Sequence, residues 1–252
     1  MPGKTLNIAH RGASALFPEN TLPAFQAAVD QGADLIELDV QFSKDRVPVV
    51  FHDAKLDSHS NGTGEVKNHT VQELKKLDAG AWHDASFAGE QIPLLEEVLA
   101  FAQNTIALNI EIKTEAVGNQ IEHGIEQKCL QLVKKYDMQS HVLFSSFDSR
   151  ALLHLKKLSP RQPAAILYSK RRDWSDMPAQ IVQQYKADAF NCTYWQLTKK
   201  RFGNLRTNDI PVLVYTVDDP RRMNKLIEMG VDGIFTNKPD LLNNVLNESE
   251  LK

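Results

Sequence analysis

Eight strand-like runs alternating with amphipathic helical segments, a chain long enough for one barrel-sized domain, and a long polar excursion after the second run predict an α/β fold. The specific expectation is a (β/α)8 TIM barrel with a small inserted subdomain after the second strand. A doubly wound open sheet uses the same alternation and is the structural alternative. All 252 residues, 1–252, are read as a single barrel domain that includes the insertion at 54–91.

The first run is "LNIAHR" (6–11), and the segment before it contains no apolar stretch of the kind a secretory signal needs. "NTLPAFQAAVDQG" then reads as a helix near 20–31, with Asn20 placed to cap it, Pro23 in the first turn and Gly32 at its end. "DLIELDVQ" (34–41) is the second strand, and residues 42–53 return from it as a hairpin. A two-residue turn at Asp45-Arg46 would place Asp39 opposite His52. The insertion follows, rich in Gly and polar residues, with a short helix near 70–77; excursions of this length in a βα connection usually serve function. After a helix near 93–103, strands at 106–113, 141–147, 163–169, 187–194, 211–217 and 232–237 are expected. The helices between and after them are expected near 118–136, 148–158, 176–186, 198–206, 219–229 and 239–247. Asp218 or Asp219 with Pro220 opens the helix at 219–229, and Gly230 closes it.

A hydrophobic share of 42% and a charged share of 24% suit an ordinary globular protein rather than a disordered chain. A net charge of -3 argues against nucleic acid or an anionic membrane surface as the main partner. No apolar run reaches the roughly 18 residues of a bilayer span, so stable membrane insertion is not expected. The expected setting is cytoplasmic, with Cys129 and Cys192 as buried, reduced thiols. A small-molecule substrate and a monomer or homodimer complete these expectations.

Side chains alternate along a strand, so Ile36, Leu38 and Val40 share one face of the second strand while Glu37, Asp39 and Gln41 share the other. The strand at 106–113 repeats the design, with Asn109, Glu111 and Lys113 opposite Leu108, Ile110 and Ile112. Both polar sets lie toward the strands' C-terminal ends, where barrel active sites form. Three carboxylates converging there need compensation. Protonation, pairing with Arg11 and Lys113, and a hard divalent cation such as Mg²⁺ or Ca²⁺ all remain open, while zinc is less suited to carboxylates without cysteine. His10 ends the first strand and His52 the hairpin, both beside charged neighbours; they are candidates for proton transfer around a phosphorus centre. The remaining histidines, at 59, 69, 83, 123, 141 and 154, are read as structural.

Ordered along the chain are "HRG" with "PENT" (10–12 and 18–21), "IELDVQFSKD" (36–45), "VPVVFHD" (47–53), "LDAGAW" (77–82), "IPLLEEVL" (92–99), "NIEIK" (109–113), "SSF" (145–147) and "GVDGIFTNKPD" (230–240). With these pieces the chain resembles the bacterial cytosolic members of the glycerophosphodiester phosphodiesterase family over nearly its full length. The resemblance implies metal-dependent hydrolysis of glycerophosphodiesters to sn-glycerol 3-phosphate and an alcohol through a cyclic phosphate. It also implies Glu37, Asp39 and Glu111 as metal ligands, His10 and His52 as the acid/base pair, and Arg11, Lys113 and Tyr215 at the substrate. Many members carry Trp where this chain has Tyr215 and Asn where it has Asp218, and "DSHSNGTG" lacks the Arg that commonly opens the insertion.

Two rival activities use the same barrel: a lysophospholipase D-like phosphodiesterase, and a non-catalytic glycerol-phosphate binding protein. The first would need an apolar groove or membrane-binding loop, of which the polar insertion gives little sign. An aldolase-like enzyme with a Schiff base on Lys113 has no use for three nearby carboxylates.

Overall fold

The computed structural model describes residues 4–250. Its strands are β1 (Leu6–His10), β2 (Leu35–Phe42), β3 (Pro48–Val50), β4 (Ala107–Ile112), β5 (Val142–Ser146), β6 (Ala164–Leu167), β7 (Ala189–Thr193), β8 (Val212–Tyr215) and β9 (Gly233–Thr236). All but β3 run parallel, and the ring closes because β1 pairs with both β2 and β9. The fold is the TIM barrel, not the open sheet. β3 lies antiparallel on the upper part of β2, beyond the residues that β2 shares with β1.

The alternation along β2 and β4 decides which side chains meet the helices. Ile36, Leu38, Val40, Leu108, Ile110 and Ile112 are fully buried in the core between sheet and helices. Burial of each such side chain contributes about 1.5–3 kcal/mol. Inside the barrel, Ile8, Leu213 and Phe235 form a separate apolar plug, with Leu35, Leu143 and Tyr215 against it. The plug closes the lower lumen, so the polar residues above it open only toward the C-terminal ends of the strands.

Most expected helices form where the pattern placed them, and Asp219 rather than Asp218 caps Pro220–Met229 by accepting from the Arg222 N–H at 3.0 Å. Gly230, at φ +82°, ends it with its N–H on the carbonyls of Leu226 and Ile227. Three expectations are corrected. The helix expected at 118–136 is Ile125–Lys135, starting after Gly124. Asn20 does not cap Leu22–Asp30; Thr21 occupies that position, without a side-chain cap bond. The hairpin register is one residue off the expected one: Val40 faces Val50 and Gln41 faces Val49, so the Phe51 N–H, not His52, meets the Asp39 carbonyl at 3.0 Å. The cause is a three-residue loop, Lys44–Arg46, whose last residue takes φ +59°. That left-handed step after a tight turn is a standard hairpin solution, and the Arg46 guanidinium lies 4.2 Å from the Phe42 ring centroid.

The insertion has its own small core, in which Leu56, Val66 and Leu74, with Ile92 just after it, pack on Val49 and Phe51 of the hairpin. Its α-helix is only Val71–Leu74, closed by a capping box between Thr70 and Glu73. Phe87, 5.4 Å from Phe17, ties it to the loop after β1, and within it Trp82 stands edge-on to His59 at 4.4 Å. Among the described residues no helix is long and apolar enough to cross a membrane.

Gly12, just after β1, has φ +87°, and a Cβ there would meet the Ala24 backbone at 2.7 Å. Gly12→Ala therefore combines left-handed strain with a backbone clash. It should destabilise the protein by at least about 2 kcal/mol, read as a lower urea midpoint with an unchanged m-value; an unshifted midpoint would contradict the close packing.

Candidate active site

Strand register delivers the acidic residues to one point. β1 and β2 place His10 beside Glu37, and β2 and β4 place Glu37 beside Asn109 and Asp39 beside Glu111. One oxygen from each of Glu37, Asp39 and Glu111 lies within 4.8 Å of the other two. Lys113 Nζ sits 3.2 Å from Asp39 Oδ1 and 3.1 Å from Glu111 Oε1. Arg11 Nε lies 3.3 Å from Asp39 Oδ2, an ion pair without hydrogen-bond alignment, and the same guanidinium donates to Glu19 at 2.9 Å.

Two strained residues complete the cluster. Arg11 at φ +57° and Asn20 at φ +58° adopt the left-handed conformation, costly for arginine and tolerable for asparagine. The Asn20 N–H donates to the Arg11 carbonyl at 3.0 Å, joining the two turns. In this conformation the Arg11 N–H reaches Glu37 Oε2 at 3.0 Å, and Asn20 Nδ2 donates to Asp39 Oδ2 at 3.0 Å.

The charges are unevenly matched. Burial pushes the Asp39 carboxyl upward, but Lys113, Arg11 and His52 outweigh it and hold the group below the usual carboxylate range. Burial, followed by repulsion from Asp39 and Glu111, pushes Glu37 well above that range. Glu111 is raised to about 7 by burial and Asp39, with Lys113 opposing. Asp39 is thus flanked by both cations, Glu111 shares Lys113 alone, and among the described residues Glu37 has no side-chain ion pair. A donor set of carboxylate oxygens alone fits a hard divalent cation better than zinc or copper.

The two imidazoles share a design. His10 Nδ1 lies 2.8 Å from Asn237 Oδ1, and that amide's orientation is set by Asn237 Nδ2 donating to Asp218 Oδ2 at 2.7 Å. An amide oxygen only accepts, so His10 carries its proton on Nδ1 and leaves Nε2 bare. Burial and then Arg11 hold His10 down to about 4, which makes it neutral at physiological pH. His52 Nδ1 lies 2.7 Å from Asp53 Oδ1, while the other Asp53 oxygen takes His59 Nδ1 at 2.9 Å. The insertion thereby braces His52 through His59. The expected cross-strand pairing of Asp39 with His52 is not made, although His52 acts on the Asp39 carboxyl through its charge.

These groups open on a cavity of about 230 Å³. Tyr215 forms part of its wall, edge-on to Phe147 and Phe235 at 6.2 Å, and burial keeps its hydroxyl protonated. Asn191, fully buried, has neither side-chain atom hydrogen-bonded, and Asn109 Oδ1 is also without a partner. Both line the cavity. Unpaired buried amides cost about 1–3 kcal/mol each, so they are poised for a polar ligand. The sequence reading did not single out Glu19, Asn20, Asp53, Asn191, Asp218 or Asn237 as site groups. Glu19, Asn20, Asp53 and Asn237 do lie within the quoted motifs, but the partners of Asn20 and Asn237 lie far along the chain.

A small polar cavity with two imidazoles, paired cations and crowded carboxylates suits hydrolysis of a charged ester, and a barrel enzyme of the phosphoric diester hydrolase class is what fold and site define together. Comparison with known proteins agrees: the profile of the Glycerophosphoryl diester phosphodiesterase family matches residues 10–241. The chain belongs to that family. A glycerophosphodiester phosphodiesterase of Caldanaerobacter subterraneus is 38% identical over 96% of this chain and 98% of its own length. One from Bacillus subtilis is 33% identical over 97% and 87%. An Oleispira antarctica phosphodiesterase, solved in complex with the product sn-glycerol-3-phosphate, superposes with a TM-score of 0.86 at 28% identity, covering 95% of this chain and 96% of that one.

Proposed function

We propose that this enzyme hydrolyses glycerophosphodiesters to sn-glycerol 3-phosphate and an alcohol, with Glu37, Asp39 and Glu111 holding one divalent cation, Mg²⁺ or Ca²⁺. The observation that carries this reading is the meeting, in one cavity, of a three-carboxylate cluster with two imidazoles whose Nδ1 atoms are engaged and whose Nε2 atoms are free. When bound, the cation supplies Lewis-acid stabilisation of charge on the non-bridging phosphate oxygens. Arg11 and Lys113 bind the same oxygens from the protein side. Asn109 and Asn191 take the glycerol hydroxyls, and Tyr215 walls the glycerol.

In this reading neutral His10 accepts a proton from the glycerol hydroxyl next to the phosphate, and that oxygen attacks phosphorus to close a cyclic phosphate. His52, steadied by Asp53, donates a proton to the departing alcohol oxygen. Water then opens the ring with the two proton transfers reversed. A cytoplasmic setting belongs to this reading and is supported by the free, buried thiols of Cys129 and Cys192.

The test strips the enzyme with EDTA and offers glycerophosphocholine, glycerophosphoethanolamine and lysophosphatidylcholine with Mg²⁺ or Ca²⁺. Glycerol 3-phosphate should appear from the first two only after a cation is restored. Tight product binding without turnover across the panel would replace the proposal with a binding protein, and a preference for the lysolipid would replace it with the lysophospholipase D activity.

A further inference from the structure

We propose that the rim built by the loops after β6, β7 and β8 docks on an anionic phospholipid surface. Trp174 and Trp195 are each 73% exposed, far more than indole packing calls for. They follow β6 and β7, which are hydrogen-bonded neighbours, so both stand at the mouth of the barrel. Exposed cations surround them: Lys170 and Arg171 before Trp174, Lys199 and Lys200 after Trp195, and Arg221 and Arg222 beyond β8.

The last four lie in the first turns of helices Lys199–Thr207 and Pro220–Met229, neither of which has an acidic residue there. A helix N-terminus disfavours cations, so helix formation does not account for them. Most acids on the same loops are engaged by the protein, and Asp176, half-buried, accepts only from Ser175 at 3.1 Å. Asp173 pairs with Arg172 at 2.5 Å, Asp219 caps its helix, and Asp218 accepts from Asn237. The net charge of -3 thus conceals a basic sector on the catalytic face.

Further contacts make the sector a plate rather than loose loops. The Arg222 guanidinium lies 4.8 Å from the Trp195 ring centroid. Arg201 donates to the Tyr168 hydroxyl at 2.6 Å and to the Gln196 carbonyl at 3.2 Å, joining the β6 and β7 loops. Side chains already held in place lose little freedom on binding. Indoles that enter the headgroup zone beside cations that meet lipid phosphates are the pattern of a peripheral membrane contact.

The test is co-sedimentation of the full chain with vesicles of phosphatidylcholine, with and without phosphatidylglycerol, at low and physiological salt. Binding is expected only with phosphatidylglycerol and should weaken with salt. K199E/K200E should lower it at least about twenty-fold, from roughly fivefold per basic residue. W174S/W195S should lower it severalfold. Both variants should keep the wild-type circular dichroism spectrum and melting temperature, which excludes misfolding. Vesicle binding is read without turnover, so this outcome is independent of the proposed activity. Wild type remaining in the supernatant, variants that bind like wild type, or displacement from vesicles by a single-stranded oligonucleotide that the wild type itself retains would each overturn the proposal.

Discussion

His10→Ala and His52→Ala should each lower kcat on glycerophosphocholine by about 10²- to 10⁴-fold, the range in which a positioned proton donor or acceptor contributes. The two losses should respond differently to the leaving group. With glycerol 3-phosphate p-nitrophenyl ester the departing phenolate needs no proton, so single-turnover p-nitrophenol release by His52→Ala should recover most of the lost rate. His10→Ala should not, because the glycerol hydroxyl still has to be deprotonated. The division of roles rests on local structure. Burial and Arg11 keep His10 neutral, and the Asp218–Asn237 pair fixes its Nδ1 proton. Asp53 accepts from His52 Nδ1 at 2.7 Å, which orients the ring and stabilises the imidazolium that donates from Nε2. Equal rescue of both variants would dismiss the assignment of base and acid, and full activity in both would dismiss imidazole catalysis altogether.

What the sequence made legible is what short-range periodicity encodes. The two-residue repeat in "IELDVQ" and "NIEIK" separates core face from lumen face, so the three carboxylates and Lys113 fall on the lumen side by sequence pattern alone. The failures share a cause. Asn20 sits where a helix cap belongs, and nothing within a few residues says that its amide will instead reach Asp39, 19 positions away. Arg46 gives no compositional sign of a positive φ, so the hairpin was set one residue off. "EAVGNQIEHG" carries enough helix formers to extend a helix backward, although Gly124 starts it later. His59 was read as structural, which its contacts support, but its service to His52 through Asp53 needed the fold. Asn191 reads as one polar residue in an apolar strand, and only the cavity explains why it has no protein partner.

Freed of divalent cations, Glu111→Gln should be more stable than the wild type at pH 8 and nearly equal to it at pH 5. Glu111 has a folded pKa raised to about 7 from 4.5. A carboxyl raised on folding favours the native state when protonated, so its contribution is intact below 4.5 and lost as pH climbs through about 7. Glu37 acts in the same direction. Asp39, lowered on folding, stabilises above its ordinary 3.8 and loses that only in acid, so it does not enter the window. His10, lowered from 6.5 to about 4, gains stability as pH rises across that span and partly offsets the wild-type trend. The comparison with Glu111→Gln cancels His10, because both proteins contain it. Melting temperatures after EDTA treatment should therefore diverge by several degrees toward pH 8, at about 2–4 °C per kcal/mol for a chain of this size. Adding Mg²⁺ or Ca²⁺ should reverse the order, raising the wild type most at pH 8, where protons no longer compete for the oxygens, and the variant little at either pH. Parallel curves from pH 5 to 8 would mean that the carboxylates do not repel one another in the folded protein, and the case for a cation among Glu37, Asp39 and Glu111 would lose its electrostatic basis.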